Sequence, residues 1–188
     1  MKFINQIYQD LYKRTNDNSP HNCDKGTTHS YIEPYESLLA NYSGKIKLLE
    51  IGVDSGVCLL LWKEVFSKGK IIGCDISSAF LRDEVRQKIK KQKIDFILGN
   101  ICDPKIIDSL PDGLDVIIDD GSHILSDQLC AFELLKDKLS PKGTYIIEDL
   151  QSMSDAKFMV DKIPNSYIID LRHIKNRYDD IMVVLKKY

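Results

Sequence analysis

The sequence predicts an α/β fold in which a mostly parallel sheet has helices on both faces and ends in an antiparallel hairpin. Short apolar runs alternate with helix-like segments along most of the 188 residues, which is typical of β-α-β units. Most runs are apolar almost without interruption, as expected of strands buried on both faces. The last two runs are joined by a polar link too short for a crossover helix, so we expect them to pair antiparallel.

The chain begins with a helical segment. The polar stretch from Ile4 to Arg14 is predicted to be helical, and Thr15–Pro20 has the composition of a loop. We assign residues 1–44 to this N-terminal segment and residues 45–188 to the main α/β unit. A chain of this length fits one domain with its own core.

Seven apolar runs supply the predicted strands, and the segments between the first five supply turns and helices. A turn at 52–56 leads into an apolar helix that carries Trp62, a charged helix covers Arg82 to Lys91, and another helix covers Ser126 to Leu139. Pro141–Gly143 is expected to end this last helix with a turn. The predicted strands are 46–51, 70–75, 95–98, 115–118, 144–147, 166–171 and 181–185.

Composition predicts a cytoplasmic protein that binds neither nucleic acid nor a membrane. The 26 basic and 28 acidic residues nearly balance, so no overall field attracts an anionic partner. The five cysteines are scattered without a CxxC pair, which is typical of a reduced compartment. No apolar run reaches the roughly 18 residues that a membrane span needs, and the first residues open no secretory signal.

The turn after the first strand has features of a ligand site. Glu50–Gly56 carries Gly52 and Gly56, where a backbone without side chains can pass close to a ligand and the next helix N-terminus favours an anionic group. The segment matches neither GxGxxG nor GxxxxGK[ST], because no third glycine and no Lys-Ser/Thr pair follow. A tight connection without any ligand is the alternative interpretation.

Two further strand ends favour a nucleoside ligand. Asp75 ends the second strand, where a carboxylate can accept hydrogen bonds from both hydroxyls of a ribose. Its alternative role is a helix N-cap. Asn100 and Ile101 follow the third strand and are placed to frame an adenine, with the amide at its edge and the apolar side chain as a wall.

A second group of polar residues follows the fourth and fifth strands. Asp119, Asp120 and His123 come after one apolar run, and Glu148 and Asp149 come after the next. Neighbouring parallel strands lie about 4.8 Å apart and end at the same edge of the sheet. We therefore expect these side chains to converge.

This convergence predicts a divalent metal beside a general base. Asp120, Glu148 and Asp149 would repel one another, and an oxygen-preferring cation such as Mg²⁺ or Mn²⁺ resolves that repulsion better than zinc does. His123 has an ordinary pKa of about 6.5, which suits a base at neutral pH. Asp119 is expected to face the cofactor. The alternative for the His123 segment is a turn that caps the following helix.

The pattern of strand ends resembles that of S-adenosylmethionine-dependent methyltransferases with a Rossmann-like, mostly parallel seven-stranded sheet. The resemblance covers residue 45 to the end, so that 45–188 would be the methyltransferase domain. It implies that the turn from Glu50 to Gly56 approaches the methionine part and that Asp75 holds the ribose. It also implies that Asn100 and Ile101 flank the adenine.

Two motifs are more particular: Ile-Asp-Asp-Gly-Ser-His at 118–123 and Ile-Glu-Asp-Leu at 147–150. They resemble the metal-dependent O-methyltransferases that modify sugars of macrolide antibiotics, of the mycinamicin and tylosin type. That group also contains proteins labelled cephalosporin hydroxylase. The resemblance implies the metal ligands and the base given above, and a small hydroxylated acceptor such as a sugar or natural product.

The segment Asp24–Tyr31 resembles a family segment that folds over the cofactor. By that resemblance Lys25 pairs with the methionine carboxylate and Tyr31 shields the sulfonium. A surface loop followed by an amphipathic helix is the alternative. Family members are often longer, so a homo-oligomer that completes the acceptor pocket is a further expectation.

Two other classes of function stay open at the level of sequence. An NAD-linked oxidoreductase can use a similar sheet, and tight binding of NADH without binding of S-adenosylhomocysteine would identify it. A nucleotide- or metabolite-binding module without turnover would bind the cofactor without the metal and would methylate no acceptor.

Overall fold

The computed structural model describes residues 4–15 and 23–187. Residues 16–20 of the loop expected after the first helix lie outside this range, and Thr15 ends the helix. In the described part of the chain, no helix combines the length and apolar character needed to cross a membrane.

A seven-stranded sheet forms the centre of the molecule, in the order β3-β2-β1-β4-β5-β7-β6. The first five strands are parallel and β6 pairs antiparallel with β7, as the sequence predicts. The structure adds that β7 also pairs antiparallel with β5. The strands are β1 Lys47–Ile51, β2 Lys70–Asp75, β3 Asp95–Leu98, β4 Leu114–Asp119, β5 Leu139–Ile147, β6 Ser166–Asp170 and β7 Ile181–Lys186.

Helices cover both faces of the sheet because alternate strand residues point to opposite sides. The helices are α1 Ile4–Thr15, α2 Ile32–Leu39, α3 Val57–Val65, α4 Asp83–Lys91, α5 Pro104–Ser109, α6 Leu125–Leu135, α7 Met153–Lys162 and α8 Arg172–Lys175. Leu48 and Ile146 pack in one buried cluster with α1 to α4, whereas Leu49 and Ile147 pack in a second cluster with α5 to α7.

The end of α6 corrects the sequence prediction. The helix ends at Leu135 instead of Leu139, and Pro141–Gly143 lies inside β5 instead of forming a turn after the helix. Leu139 falls four residues after Leu135 and so mimics helical spacing, but it is buried and pairs with Leu114 of β4. The register shifts after this pair, and such an irregularity accommodates a proline that lacks a donor for the ladder.

Candidate active site

A cavity of about 540 Å³ opens at the carboxyl edge of the parallel strands. Its walls include the loops after β1, β2, β3 and β4. β1 lies between β2 and β4, so β2 and β3 are added on one side of β1 and β4 and β5 on the other. Open α/β sheets form ligand crevices where the strand order reverses in this way. The volume lies in the range of small-molecule sites.

The two glycines of the first turn have different neighbours. Gly52 lines the cavity and has a φ of 80°, and a Cβ there would lie 1.8 Å from the carbonyl oxygen of Asp120. Gly56 does not line the cavity; it has a φ of 79°, and a Cβ there would lie 2.6 Å from Leu81 Cδ2 and 2.9 Å from Val85 Cγ1. Contacts within the chain therefore account for both glycines, and the approach of Gly56 to a ligand stays a prediction.

The residues expected to hold a nucleoside all line this cavity. Asp75 Oδ2 accepts hydrogen bonds from the amides of Val53 at 2.7 Å and Asp54 at 3.1 Å, so the acid ties the ends of β1 and β2 together. It caps no helix, because α4 begins only at Asp83. Asn100 Oδ1 accepts a hydrogen bond from a backbone amide, and Ile101 is largely buried beside it.

Asp120, His123 and Asp149 converge at the adjoining ends of β4 and β5. His123 Nε2 lies 3.3 Å from Asp120 Oδ1 and 3.6 Å from Asp149 Oδ2. One ligand atom from each of the three residues lies within 4.8 Å of the others. Two carboxylates and an imidazole form a donor set that suits a hard divalent cation with some nitrogen affinity, so these residues fit a metal.

The backbone around this group is tightly constrained. His123 and Asp149 adopt left-handed conformations with φ of 58° and 56°, which non-glycine residues rarely do. The amide of Asp120 donates to Ile51 O at 2.9 Å, and the amide of Glu148 donates to Asp119 O at 2.9 Å. The backbone hydrogen bonds between neighbouring strands thus continue as far as Asp120 and Glu148 and fix the backbone positions of these acidic residues.

Lys25 lies beneath this group and is wholly buried. Its ammonium donates to Asp120 Oδ2 at 2.7 Å and to Glu148 Oε2 at 2.5 Å, and lies 3.5 Å from Glu50 Oε1. Tyr35 donates to the other oxygen of Glu148. The family resemblance implies a cofactor carboxylate as the partner of Lys25. In the structure its partners are carboxylates of the chain, and pairing with a cofactor stays a prediction.

Tyr31 likewise faces the protein. Its hydroxyl donates to Asp149 Oδ1 at 2.5 Å, and its ring stacks on that of His29 at a centroid distance of 4.8 Å. His29 Nδ1 lies 3.2 Å from the same oxygen of Asp149 and 3.3 Å from Asp180 Oδ1. Tyr31 is 1% exposed, so in this structure it supports Asp149, and the shielding of a sulfonium stays a prediction.

Burial and charge perturb the acidic residues and His123. Burial raises the pKa of Asp119 to about 7 and, together with the charge of Asp120, that of Asp149 to about 6. Burial alone would also raise the pKa of Asp120, but the charge of Lys25 and the hydrogen bond to His123 hold it well below its usual range. Burial lowers the pKa of His123, yet the hydrogen bond to Asp120 and the nearby carboxylates raise it to about 9. His123 therefore needs additional positive charge nearby to be unprotonated at neutral pH.

Sequence reasoning missed several residues that support the site. Trp62 donates to Glu50 Oε1 at 3.0 Å and contacts the ring of Tyr35, although its pattern indicated only an apolar helix face. Asp180 is fully buried beside His29. The sequence does contain a signal for Asp180, because the acidic pair at 179–180 directly precedes β7. Since β7 is antiparallel, it begins at the edge of the sheet where the parallel strands end, so this pair lies at the same edge as the site.

The fold and the site define a Rossmann-like α/β protein with its ligand cavity at the carboxyl edge of the sheet. More specifically, the chain belongs to the family described as "Methyltransferase domain", whose model matches residues 43–182.

Curated relatives are named as O-methyltransferases, and three of the names include a rhamnosyl or olivosyl group. The chain is 31% identical over 143 residues to 8-demethyl-8-alpha-L-rhamnosyl tetracenomycin-C 2'-O-methyltransferase of Streptomyces olivaceus, which covers 70% of this chain and 36% of the relative. It is 32% identical over 136 residues to mycinamicin VI 2''-O-methyltransferase of Micromonospora griseorubida, which covers 66% of this chain and 32% of the relative. The chain thus spans about a third of the length of these relatives.

Solved structures share the fold. The MycE methyltransferase in complex with Mg, SAH and mycinamycin VI matches with a TM-score of 0.69 at 24% identity, over 96% of this chain and 53% of that one. A putative methyltransferase from Streptococcus mutans in complex with SAH matches with a TM-score of 0.63 at 14% identity, over 84% of this chain and 97% of that one.

Proposed function

We propose that the chain is an S-adenosylmethionine-dependent, Mg²⁺- or Mn²⁺-dependent O-methyltransferase that acts on a hydroxyl of a sugar or small metabolite. The observation that carries the proposal is the convergence of Asp120, His123 and Asp149 directly beside the cavity of a methyltransferase-family sheet. The names of the relatives support the proposal: all are O-methyltransferases, which supports the reaction, and three include a rhamnosyl or olivosyl group, which supports the acceptor class.

The cofactor is proposed to lie along the ends of β1, β2 and β3. Asp75 would accept hydrogen bonds from the ribose, and Asn100 and Ile101 would flank the adenine. Gly52 would lie next to the methionine part, at the end of the strand that carries Glu50. Asp119 would face the ligand, since it lines the cavity and its Oδ2 has no hydrogen-bond partner among the described residues.

The divalent cation is proposed to bind at the carboxylates of Asp120 and Asp149, and the family resemblance adds Glu148 as a third ligand. When bound, the cation supplies positive charge that lowers the pKa of an acceptor hydroxyl and of His123. His123 would then accept the hydroxyl proton at a ring nitrogen, since 34% of its side chain is exposed on the cavity side. Lys25 and Tyr31 would hold Asp120 and Asp149 in place during that transfer.

The test begins with calorimetric titration of S-adenosylhomocysteine and of NADH, each with and without Mg²⁺. We expect binding of S-adenosylhomocysteine, and tight binding of NADH alone would contradict the proposal. Transfer of a labelled methyl group from S-adenosylmethionine is then measured on rhamnosyl and olivosyl glycosides, the sugars in the names of two relatives. Cofactor binding that needs no metal, with no methylated product, would favour the binding module instead.

Two further proposals concern the cellular location and the oligomeric state of the protein. A cytoplasmic location is supported by the five cysteines, which are scattered along the sequence without a CxxC pair. A homo-oligomer that completes the acceptor pocket is the second of these proposals, and the chain covers 32% to 41% of the length of the curated relatives it matches. Sedimentation of the purified chain with and without cofactor tests the second point.

A further inference from the structure

The loop that leads into β7 lies beside Asp149. β7 begins at Ile181 and runs antiparallel to β5, and the amide of Leu150 donates to Ile181 O at 3.2 Å. Residues 177–180 therefore lie at the same edge of the sheet as Asp149. This loop borders the candidate active site on the side of β5 and β7.

Tyr178 of this loop is joined to Asp149 through Gln151. The hydroxyl of Tyr178 donates to Gln151 Oε1 at 3.3 Å, and Gln151 Nε2 donates to the carbonyl oxygen of Asp149 at 3.0 Å. Tyr178 is nevertheless 64% exposed. Its hydroxyl is thus held in place beside the site while most of its ring is open to a ligand.

Arg177 adds hydrogen-bond donors next to this ring. Its Nε donates to Asp179 Oδ1 at 3.0 Å and its Nη2 donates to Asp179 Oδ2 at 2.6 Å, and 35% of the Arg177 side chain is exposed. A guanidinium has five N–H groups, so donors remain for a ligand after the pairing with Asp179. An exposed aromatic ring beside fixed N–H donors suits a ligand that has both apolar faces and hydroxyls, as a sugar does.

Methyl transfer fixes the direction from which the acceptor comes. The attacking oxygen, the methyl carbon and the sulfur lie nearly in line, so the acceptor lies on the side of the methyl group away from the sulfur. The cavity proposed for the cofactor is lined by the ends of β1 to β4 and by α6, and Asp149, Gln151 and Tyr178 do not line it. His123 lines the cavity, and its Nε2 lies 3.6 Å from Asp149 Oδ2. The acceptor therefore approaches from the side of β5 and β7, where Tyr178 lies.

We propose that the exposed ring of Tyr178 is the platform of the acceptor subsite, on which a pyranose ring stacks with its reacting hydroxyl directed toward His123. This inference rests on the proposed methyltransferase function. The C–H bonds on the face of a pyranose carry a slight positive charge, which the negative face of an aromatic ring attracts. Tyrosine offers this area at a low cost in conformational entropy, because only two χ angles are fixed. Arg177 donates hydrogen bonds to other hydroxyls of the same sugar.

The test measures binding of a glycoside in a complex that cannot react. Methyl α-L-rhamnopyranoside is titrated into the chain with saturating S-adenosylhomocysteine and Mg²⁺, and saturation-transfer NMR follows the protons of the sugar ring. Tyr178→Ala removes the aromatic ring, whereas Tyr178→Phe keeps the ring and removes only the hydroxyl. Tyr167→Ala is the matched control, because Tyr167 is an exposed tyrosine of β6.

We expect Tyr178→Ala to weaken binding of the glycoside by about fivefold or more, the loss expected for one aromatic contact, and the other two variants to stay within about twofold of the parent chain. In methyl transfer to the same glycoside, Tyr178→Ala should raise KM by a similar factor and leave kcat within about threefold. The reason is that the ring contacts the sugar equally in the ground state and in the transition state. The affinity for S-adenosylhomocysteine should be unchanged in all three variants.

Several outcomes would overturn the inference. One is an unchanged affinity for the glycoside in Tyr178→Ala, and another is an equal loss in Tyr178→Ala and Tyr178→Phe, since the hydroxyl and not the ring would then matter. A smaller sedimentation coefficient of Tyr178→Ala would place the ring in a contact between subunits. A parent chain that binds S-adenosylhomocysteine but no glycoside would overturn the subsite alone, whereas a parent chain that binds no S-adenosylhomocysteine would overturn the proposed function.

Discussion

At the scale of single residues, His123 is placed for two roles that an experiment can separate. Its Nε2 lies between oxygens of Asp120 and Asp149, where it can act as a base or bind the metal. We expect His123→Ala to keep the affinity for S-adenosylhomocysteine and Mn²⁺ and to lose about 10²- to 10⁴-fold in turnover, the usual contribution of a general base. Calorimetry and single-turnover methyl transfer measure the two effects. A large loss of Mn²⁺ affinity would make the residue a ligand, and an unchanged rate would exclude it as the base.

Glu50 gives a prediction on pH. Burial raises its pKa from 4.5 to about 7, against the opposing effects of Lys25 and Trp62. Between these values the folded protein binds a proton that the unfolded chain has lost, so this residue's contribution to stability falls as the pH rises and is fully lost above pH 7. The loss amounts to about 3 kcal/mol at most. Urea unfolding of the parent and of Glu50→Gln at pH 5 and pH 8 should show the smaller decrease for the variant, and equal decreases would contradict the assignment.

At the scale of the elements, the strands were predictable and the irregular connections were not. The predicted bounds of β2 and β3 match the structure residue for residue, because charged residues next to a continuous apolar run mark where the strand begins or ends. The start of β5 was missed because Leu139 continues a helical spacing. Adjacent strand ends allowed Asp120 and Asp149 to be predicted together. The orientation of Glu148 depends on Lys25 and Tyr35, more than a hundred positions away, and no local pattern encodes it.

The turn between β1 and α3 provides a test of why its glycine is there. Gly52 and Gly44 have nearly the same φ, 80° and 81°, but a Cβ at Gly52 would overlap the carbonyl of Asp120, whereas at Gly44 it would meet nothing within 4 Å. Gly44→Ala should therefore cost only the conformational penalty of about 1 to 2 kcal/mol. Gly52→Ala should cost clearly more, because the loops after β1 and β4 must separate. Denaturant titration measures both, and equal losses would mean that the close approach is unimportant.

At the scale of the whole molecule, charge is balanced overall but not locally. The chain carries a net charge of −2, yet Glu50, Asp119, Asp120, Glu148 and Asp149 all lie buried or half-buried near the carboxyl edge of the sheet. Lys25 is the buried lysine among them. Burial, with the charge of Asp120 as a further cause, raises the pKa of Asp119 to about 7 and that of Asp149 to about 6. The fold therefore gives up stability to hold acidic groups together at this edge of the sheet, where the proposed cation and cofactor would contact them.

This imbalance predicts that ligands stabilise the entire domain. Whatever binds the folded chain and not the unfolded one adds about 2.7 kcal/mol at a hundredfold excess over its dissociation constant. For a domain of this size that corresponds to a rise in Tm of roughly 5 to 10 °C. We expect S-adenosylhomocysteine and Mg²⁺ each to raise the Tm in thermal scans, and EDTA to reverse the Mg²⁺ effect. NaCl at the same ionic strength as the Mg²⁺ salt is the control for nonspecific screening of the protein's charges. Asp149→Asn should retain the shift from S-adenosylhomocysteine and lose that from Mg²⁺, because in the proposed site this carboxylate would bind the metal and not the cofactor. A variant that kept the full Mg²⁺ shift would place the cation elsewhere on the molecule.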